Sequence, residues 1–145
     1  MNLTKALKLK KKLIKQSNDL FNKFQMNNSF DVSINEAPTY EPQIVYEQWK
    51  ECVEQLITLK TKIHTANVSI ADKIFRLGEM KSMIQNLKRV DTKSGKARVN
   101  SYSIEVSEYK AWMSQRDIDV TIAKLEELIE TIQEEIEAYN AVTKI

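Results

Sequence analysis

Apolar residues recur three, four and seven positions apart through most of this chain, and this spacing constrains the fold more than any other feature. It is the period of an α-helix that buries one face. Only two glycines and two prolines occur among 145 residues, so few positions force a sharp turn. The sequence therefore predicts long, uninterrupted helices.

The period predicts four helices, at about residues 2–26, 43–67, 70–90 and 118–143. In the first, the expected apolar stripe is Leu3, Leu7, Ile14, Phe21 and Phe24. Either Asp117 or Asp119 is suited to cap the last helix. Gly78 lies inside the third helix, where glycine costs about 1 kcal/mol relative to alanine, so we expect another backbone to approach there.

Two connections carry β-like patterns. Within the first, FDVSI alternates apolar and polar residues and suits a brief edge strand. The second, at about residues 97–113, follows a turn marked by Ser94 and Gly95, and its SYSIEV segment predicts a hairpin-like strand. An isolated hairpin is marginal in water, so we expect it to pack on the helices or to pair with another subunit.

The fold class expected is mainly α. Residues 1–145 form one helical domain, a bundle of about four long antiparallel helices with coiled-coil character and a small β insertion before the last helix. Because 145 residues are few for four long helices to bury one another, we expect a homo-oligomer.

The net charge of +2 hides four blocks of alternating sign. Residues 1–30 carry seven lysines against one acid, and 31–59 carry six acids against one lysine. Residues 60–98 carry ten bases against three acids, and 99–145 carry ten acids against four bases. This alternation suits consecutive helices that fold back on one another, or else leaves part of the cationic surface to receive an anion.

The sequence contains no recognisable catalytic constellation. Cys52 and His64 are the only residues of their types and lie twelve positions apart, about 18 Å along one helix. That distance excludes a Cys–His pair within one chain, and no glycine-rich phosphate loop occurs. The sequence therefore predicts a protein that is not an enzyme, with no cofactor and no bound metal.

The sequence also bears on location. No apolar run reaches the roughly 18 residues of a membrane span, and the basic first residues lack the apolar core and cleavage site of a secretory signal. We expect a cytoplasmic protein with no membrane partner. Nucleic-acid binding is not expected either, because two acidic blocks interrupt the basic surface.

Several short segments, taken in order, resemble the septicolysin-like family of small bacterial and phage-related proteins. They are MNLTKALKLKKKL at the start, IHTAN, IADKIFRL, SYSIEV and AYNAVTKI at the end. Asn67, Arg76 and Tyr102 match family positions, whereas Ala66 departs from the threonine found there. The resemblance implies long antiparallel helices, a small β element and a homo-oligomer, and it implies no particular activity.

The binding residues expected are a group of cations with neighbouring polar and aromatic side chains. Guanidinium and ammonium groups hold phosphate or carboxylate, and an aromatic ring stacks on a base. The candidates are Arg76, Lys81, Arg89 and Arg98, with Asn67 as a polar contact and Tyr102 as a stacking ring.

Two functions follow. In the first, the oligomer sequesters a small anionic, nucleotide-like ligand, as a phage anti-defence sponge holds an immune signal. In the second, the chain is a scaffold or protein–protein interaction module without a small ligand.

Overall fold

The computed structural model describes residues 1–34, 36–100, 102 and 104–145. Over these residues the chain is mainly helical, and a two-stranded antiparallel hairpin precedes the last helix. The elements are α1 (Leu3–Asn27), α2 (Pro42–Asn67), α3 (Ala71–Leu87), β1 (Gly95–Arg98), β2 (Val106–Tyr109) and α4 (Gln115–Val142). The mainly α fold class with its small β insertion is confirmed, and each helix boundary lies within three residues of the predicted one.

The chain divides into two compact units. The first comprises Met1–Ser69 with Glu137–Ile145, and the second comprises Ile70–Ile136. The last residues of α4 therefore belong to the first unit and the rest of that helix to the second. The interpretation of residues 1–145 as one domain stays a prediction.

In the first unit α1 and α2 pack against each other in antiparallel directions. The thiol of Cys52 donates to the carbonyl oxygen of Leu13 at 3.5 Å, and the indole N–H of Trp49 donates to the hydroxyl of Ser17 at 3.2 Å. Because the partner number on α2 falls as the number on α1 rises, the two helices run in opposite directions. An aromatic cluster closes one end of this pair, formed by Phe21, Phe24, Tyr46 and Trp49.

The core of the first unit is narrow. Its main cluster of buried residues is Leu3, Ala6, Leu13, Cys52, Leu59 and Ile63, and Val45 is also buried in this unit. Ile14 and Phe21, which were expected on the inward stripe of α1, are exposed instead. The difference arises because α2 covers only part of the apolar surface of α1, so the buried face is narrower than the apolar stripe.

The end of α4 closes the first unit over the start of α1. The Leu3 N–H donates to the carbonyl oxygen of Thr143 at 2.8 Å, and the Asn2 side chain donates to the carbonyl oxygen of Ala141 at 3.0 Å. Asn2 also caps α1, since its side-chain oxygen accepts from the Lys5 N–H at 2.9 Å. One asparagine thus stabilises the start of one helix and the end of another.

A tyrosine hydroxyl links α4 to the end of α2. The hydroxyl of Tyr139 donates to the carbonyl oxygen of Ala66 at 2.7 Å and lies 2.7 Å from the hydroxyl of Ser69. Its ring packs against the core of the first unit. The residue therefore supplies both apolar contact and two hydrogen bonds at one junction.

The connection between α1 and α2 is not a strand. A short 3₁₀ helix spans Val32–Ile34, because the carboxylate of Asp31 accepts the Ser33 N–H at 2.9 Å and tightens the backbone into a turn. The expected edge strand at FDVSI is therefore wrong. Asn35, just beyond it, lies outside the described residues.

In the second unit α3 and α4 run antiparallel. Lys73, near the start of α3, pairs with Glu135 of α4, and the hydroxyl of Thr92 donates to the Gln115 side chain at 3.0 Å. The buried apolar residues of this unit are Ile70, Ile84, Ile118 and Ile132. The other apolar side chains along these two helices are half-buried or exposed, so the second unit has a thin core.

The close backbone approach expected at Gly78 is not found within the chain. Apart from its two chain neighbours and the adjacent backbone of its own helix, no described atom lies within 4 Å of the place that a Cβ would occupy there. The glycine is exposed on α3, and its cost in helix stability has no packing reason in this chain.

The N-terminus of α4 is capped by Ser114 rather than by either expected aspartate. The Ser114 hydroxyl accepts the Asp117 N–H at 3.1 Å, and the Asp117 carboxylate accepts the Ser114 N–H at 2.9 Å. This reciprocal pair is a capping box, in which the acid occupies the third helical position. The Asp119 side chain accepts instead from the Gln115 amide at 3.0 Å.

The hairpin is shorter than its sequence pattern predicts. β1 and β2 pair antiparallel from Gly95 opposite Tyr109 to Arg98 opposite Val106. Gly95 opens β1 with a φ of 94°, a conformation that favours glycine, rather than forming the expected turn. Among the described residues of SYSIEV, the strand prediction is correct only for Val106. Ser101 and Ser103 lie outside the described residues.

Replacing Tyr139 by phenylalanine removes both hydroxyl bonds and keeps the ring. We expect the free energy of unfolding to fall by about 1 kcal/mol, because the Ala66 carbonyl loses a part-buried donor. Urea denaturation followed by circular dichroism measures this. Tyr102→Phe is the matched control, since the Tyr102 ring is almost fully exposed. Equal stabilities of the two variants would contradict the junction described above.

The capping box makes one contribution to stability depend on pH. The Ser114 N–H and then its hydroxyl hold the pKa of Asp117 below its ordinary value. This contribution is therefore present above about pH 4 and is lost as the pH falls through the lowered pKa. We expect Asp117→Asn to lower the melting temperature at pH 7 and to have little effect at pH 2. An equal difference at both pH values would refute this origin.

Candidate functional site

The four cations expected to bind an anion lie along the second unit. Arg76 and Lys81 are on α3, Arg89 follows the end of that helix, and Arg98 ends β1. All four are exposed. Arg76 and Lys81 are five positions apart, which separates them by about 140° around the helix. The helix therefore directs these two side chains away from each other.

Two of these cations already have partners within the chain. The guanidinium of Arg76 lies 3.4 Å from the carboxylate of Asp72, one helical turn earlier. The guanidinium of Arg89 donates to the side-chain oxygen of Asn86 at 2.6 Å. Such exposed contacts contribute little to stability and yield readily to a ligand. Within the described residues, Lys81 forms no ion pair.

Of the polar and stacking candidates, Asn67 belongs to the first unit, whereas Tyr102 lies in the same hairpin as Arg98. Asn67 is the last residue of α2, half-buried in the first unit. Tyr102 lies in the loop of the hairpin with 98% of its side chain exposed. Four clefts on the described surface are lined by other residues and include none of the six candidates. The proposed binding set therefore stays a prediction.

Several large apolar side chains of the hairpin, and of the segment that follows it, are exposed. The hairpin arm is defined as the described residues of 95–109 together with Trp112. It carries six exposed large apolar side chains: Val99, Tyr102, Ile104, Val106, Tyr109 and Trp112. Ile104 and Trp112 are 96% and 93% exposed. Within the described residues, its two strands pair only with each other. A hairpin with this exposure is typical of an interaction surface.

The two edges of the hairpin differ in charge. β1 carries Lys96 and Arg98, whereas β2 carries Glu108 and follows Glu105. Inside the hairpin Lys96 lies opposite Glu108. Nearby, the ammonium of Lys93 lies 4.7 Å from the centroid of the Tyr109 ring, a cation–π contact. β1 therefore carries two cations, whereas β2 carries one carboxylate and is followed by Lys110.

A second surface feature lies in the first unit, between α1 and the end of α4. This α1–α4 cleft has a volume of about 460 Å³ and is lined by Thr4, Leu7, Lys8, Lys11, Glu137 and Asn140. Residues three and four apart on a helix share a face, which explains why these six meet. Neither lysine forms an ion pair within the described residues, although Glu137 lines the same cleft.

Asn140 is the unusual member of this cleft. Its side-chain oxygen is buried, and no donor in the described part of the chain reaches it. A buried acceptor without a donor is rare in proteins and often indicates a missing partner. Sequence reasoning missed the cleft, although the spacing of Glu137 and Asn140 on α4 and of Lys8 and Lys11 on α1 was a signal for it.

The single cysteine is unsuited to nucleophilic chemistry. Cys52 is buried, burial raises the pKa of its thiol, and its sulfur donates to the Leu13 carbonyl. His64 lies on the exposed surface of the same helix. Over the residues that the structure describes, no group of three or more histidine, cysteine, aspartate or glutamate side chains is arranged to hold a metal ion.

Comparisons with known proteins give no relative. No family model matches the chain, and neither the curated proteins nor the solved structures contain a match. In the described residues no helix combines the length and the apolar character needed to cross a membrane. Any functional interpretation therefore depends on the residues themselves.

Proposed function

We propose that this chain is a non-catalytic helical interaction protein that associates with further copies of itself in the cytoplasm through the hairpin arm. The observation that supports this most is the exposure of Tyr102, Ile104 and Trp112, each above 90%. Side chains of this kind dominate the energetics of protein interfaces. We infer that a second molecule covers these three side chains.

The marginal size of the arm supports the same proposal. Its two strands have four residues each, and a two-stranded hairpin of that size is marginally stable on its own in water. Burial of Ile104 and Trp112 against another chain stabilises the arm by removing their apolar surface from water. Association therefore stabilises the pairing of the two strands.

The charged residues of the two strands favour a second copy of the chain as the partner. They also favour one orientation of the two hairpins. Two β1 edges would bring Lys96 and Arg98 of one chain against the same cations of the other, and two β2 edges would oppose like acids. Pairing of β1 with the β2 of another copy brings opposite charges together. Such a head-to-tail contact uses two different surfaces, so it generates a ring or an open filament of copies rather than a symmetric pair.

Replacing Ile104 and Trp112 together by serine tests this function. We expect the wild-type chain to form an oligomer and the double variant to be monomeric at the same concentration, because the apolar cover is lost. Light scattering coupled to size-exclusion chromatography measures the mass. Met26→Ser, at an exposed residue of α1, is the matched control and should leave the mass unchanged.

Two results would overturn the self-association proposal. One is a monomeric wild-type chain up to millimolar concentration. The other is an oligomer whose mass does not respond to the double variant. Circular dichroism of each variant separates loss of association from loss of helix.

The second candidate function is sequestration of a small anionic, nucleotide-like ligand, as an anti-defence sponge would perform it. The exposed cations Lys81 and Arg98 support it, together with the exposed ring of Tyr102. Neither cation forms an ion pair within the described residues, so binding of an anion would not require the loss of an internal one. The septicolysin-like resemblance is compatible with this function and does not specify it.

Native mass spectrometry with a panel of linear and cyclic nucleotides tests the second candidate. We expect discrete ligand masses on the wild-type protein, and their loss when Lys81 and Arg98 are both replaced by glutamate, since reversed charges repel phosphate. Lys60→Glu, an exposed lysine on α2, is the control. Absence of any bound nucleotide would remove this function from consideration.

A further inference from the structure

One side of the α1–α2 pair carries a row of apolar side chains that the chain leaves partly exposed. On α1, Ile14 and Phe21 follow Leu7 at steps of seven residues, so the three share one face of the helix. Leu7 is half-buried, whereas Ile14 and Phe21 are 38% and 42% exposed. Large apolar side chains in a row along one helical face are typical of a surface that another element covers.

The neighbouring face of α2 widens this apolar surface. Tyr46, Val53 and Ile57 are seven and four residues apart and share a face, and Ile57 is 51% exposed. The half-buried ring of Trp49 joins the two helices, because its centroid lies 5.3 Å from that of Phe21 and 6.3 Å from that of Tyr46. We call this surface the α1–α2 stripe, and its members are Ile14, Phe21, Tyr46, Trp49, Val53 and Ile57.

Lysines without ion pairs border the stripe on both helices. On α1, Lys15 lies one turn after Lys11 and follows Ile14 directly. On α2, Lys60 follows Val53 by seven residues and therefore lies on the same face. These three lysines are exposed, and none forms an ion pair within the described residues. The carboxylates of α2 line a different cleft, and they are Glu47, Glu51 and Glu54.

The start of the same α1 face is already covered by the end of an acidic helix. In the α1–α4 cleft, Leu7 and Lys11 of α1 lie beside Glu137 of α4. The Tyr139 ring of α4 packs against the core of the first unit. A helix end thus supplies apolar contact to the pair and a carboxylate to its lysines. From Ile14 onward, the apolar row and its lysine border continue without this cover.

An amphipathic helix with an acidic polar face complements the uncovered part. The seam between two antiparallel helices is a groove in which a third helix packs, with apolar side chains every three or four residues. Carboxylates at the edges of its apolar face would lie against the bordering lysines. The basic border therefore selects the charge of the occupant.

The chain itself does not supply a free helix of this kind. The acidic helix α4 uses its apolar face in its own chain, where Ile118 and Ile132 are buried. Two copies of the stripe facing each other would bring lysines against lysines, which opposes their association. These two observations favour a helix of a different protein over a second copy.

We propose that the α1–α2 stripe binds an acidic amphipathic helix of another protein. The bound helix lies along Ile14 and Phe21 on α1 and along Val53 and Ile57 on α2. This site goes beyond self-association through the hairpin arm, since it lies in the first unit and takes a different partner. The two proposals therefore fail separately.

A pair of synthetic peptides that differ only in charge tests the chemistry of the partner. Each has about 18 residues, five helical turns, with leucines on one face and either glutamates or lysines on the other. We expect the glutamate peptide to bind the full chain about tenfold more tightly than the lysine peptide, because only its charge is opposite to that of the border. Fluorescence anisotropy of the labelled peptides measures both affinities. Equal affinities, or no binding of the glutamate peptide at millimolar concentration, would overturn the proposal.

Variants of the stripe and its border locate the bound peptide. Ile57→Ser should weaken the glutamate peptide by about tenfold, whereas Ile44→Ser, at a residue of α2 that is 52% exposed and lines another cleft, should not. Lys15→Glu with Lys60→Glu should remove the preference for the glutamate peptide. Lys62→Glu is the control for charge, since Lys62 lines a different cleft with Leu9 and Leu13. Equal effects of variant and control would contradict the assignment to the stripe.

Two other occupants predict different results. If Ile57→Ser abolishes binding to vesicles of phosphatidylcholine and phosphatidylserine in equal parts, and no peptide binds, the stripe faces a lipid surface and the proposal is wrong. If Ile57→Ser lowers the oligomeric mass instead, a second copy covers the stripe and the proposal is also wrong. The double variant of Ile104 and Trp112 should keep peptide binding, and its loss there would assign the peptide to the hairpin arm. Circular dichroism of each variant confirms that the helices are retained.

Discussion

The first unit depends on the burial of one leucine at the start of α1. Leu3 has no exposed surface, and its N–H donates to the carbonyl oxygen of Thr143. The segment after α4 must therefore lie over the first turn of α1 for this side chain to leave water. In a pair of helices, each helix buries only the face that contacts the other. The end of α4 covers apolar surface that the α1–α2 pair leaves exposed. Tyr139 secures that arrangement by bonding the end of α2.

Helix periodicity was a good guide to the elements and a poorer guide to the core. It located α1 to α4 because apolar spacing is a local property that one helix carries alone. It failed for Ile14 and Phe21, which share the stripe of Leu3 and are nevertheless exposed, because burial depends on how much of that stripe a neighbouring helix covers. The sequence of one helix does not contain that information.

Local hydrogen bonds explain the other differences. At the start of α4, the side chains of Ser114 and Asp117 each accept the other residue's N–H. Asp117, which the sequence pattern predicts as a possible cap, therefore occupies the third helical position of a capping box. At residues 31–34, alternating apolar residues predicted a strand, but Asp31 accepts from the Ser33 N–H and turns the chain. In both places the backbone conformation is set by a hydrogen bond to a side chain at most three residues away. The apolar period does not detect such a bond.

The candidate sites illustrate a similar limit. The sequence reveals which residues are cationic, so Arg76, Lys81, Arg89 and Arg98 could be selected from it. It does not reveal that Asp72 and Asn86 already contact two of them. The α1–α4 cleft joins residues more than a hundred positions apart, and the unpaired oxygen of Asn140 becomes visible only when its surroundings are known.

The rate at which the buried thiol of Cys52 is labelled reports local opening of the first unit. The thiol is buried and donates a hydrogen bond to the Leu13 carbonyl of α1, so labelling by a reagent requires local opening of the structure around it. As the chain has one cysteine, every labelling event reports the same motion. When the chemistry is faster than reclosing of the helix pair, the labelling rate equals the rate at which the pair opens. Local unfolding around Cys52 can therefore be measured on the unmodified chain, without an added probe.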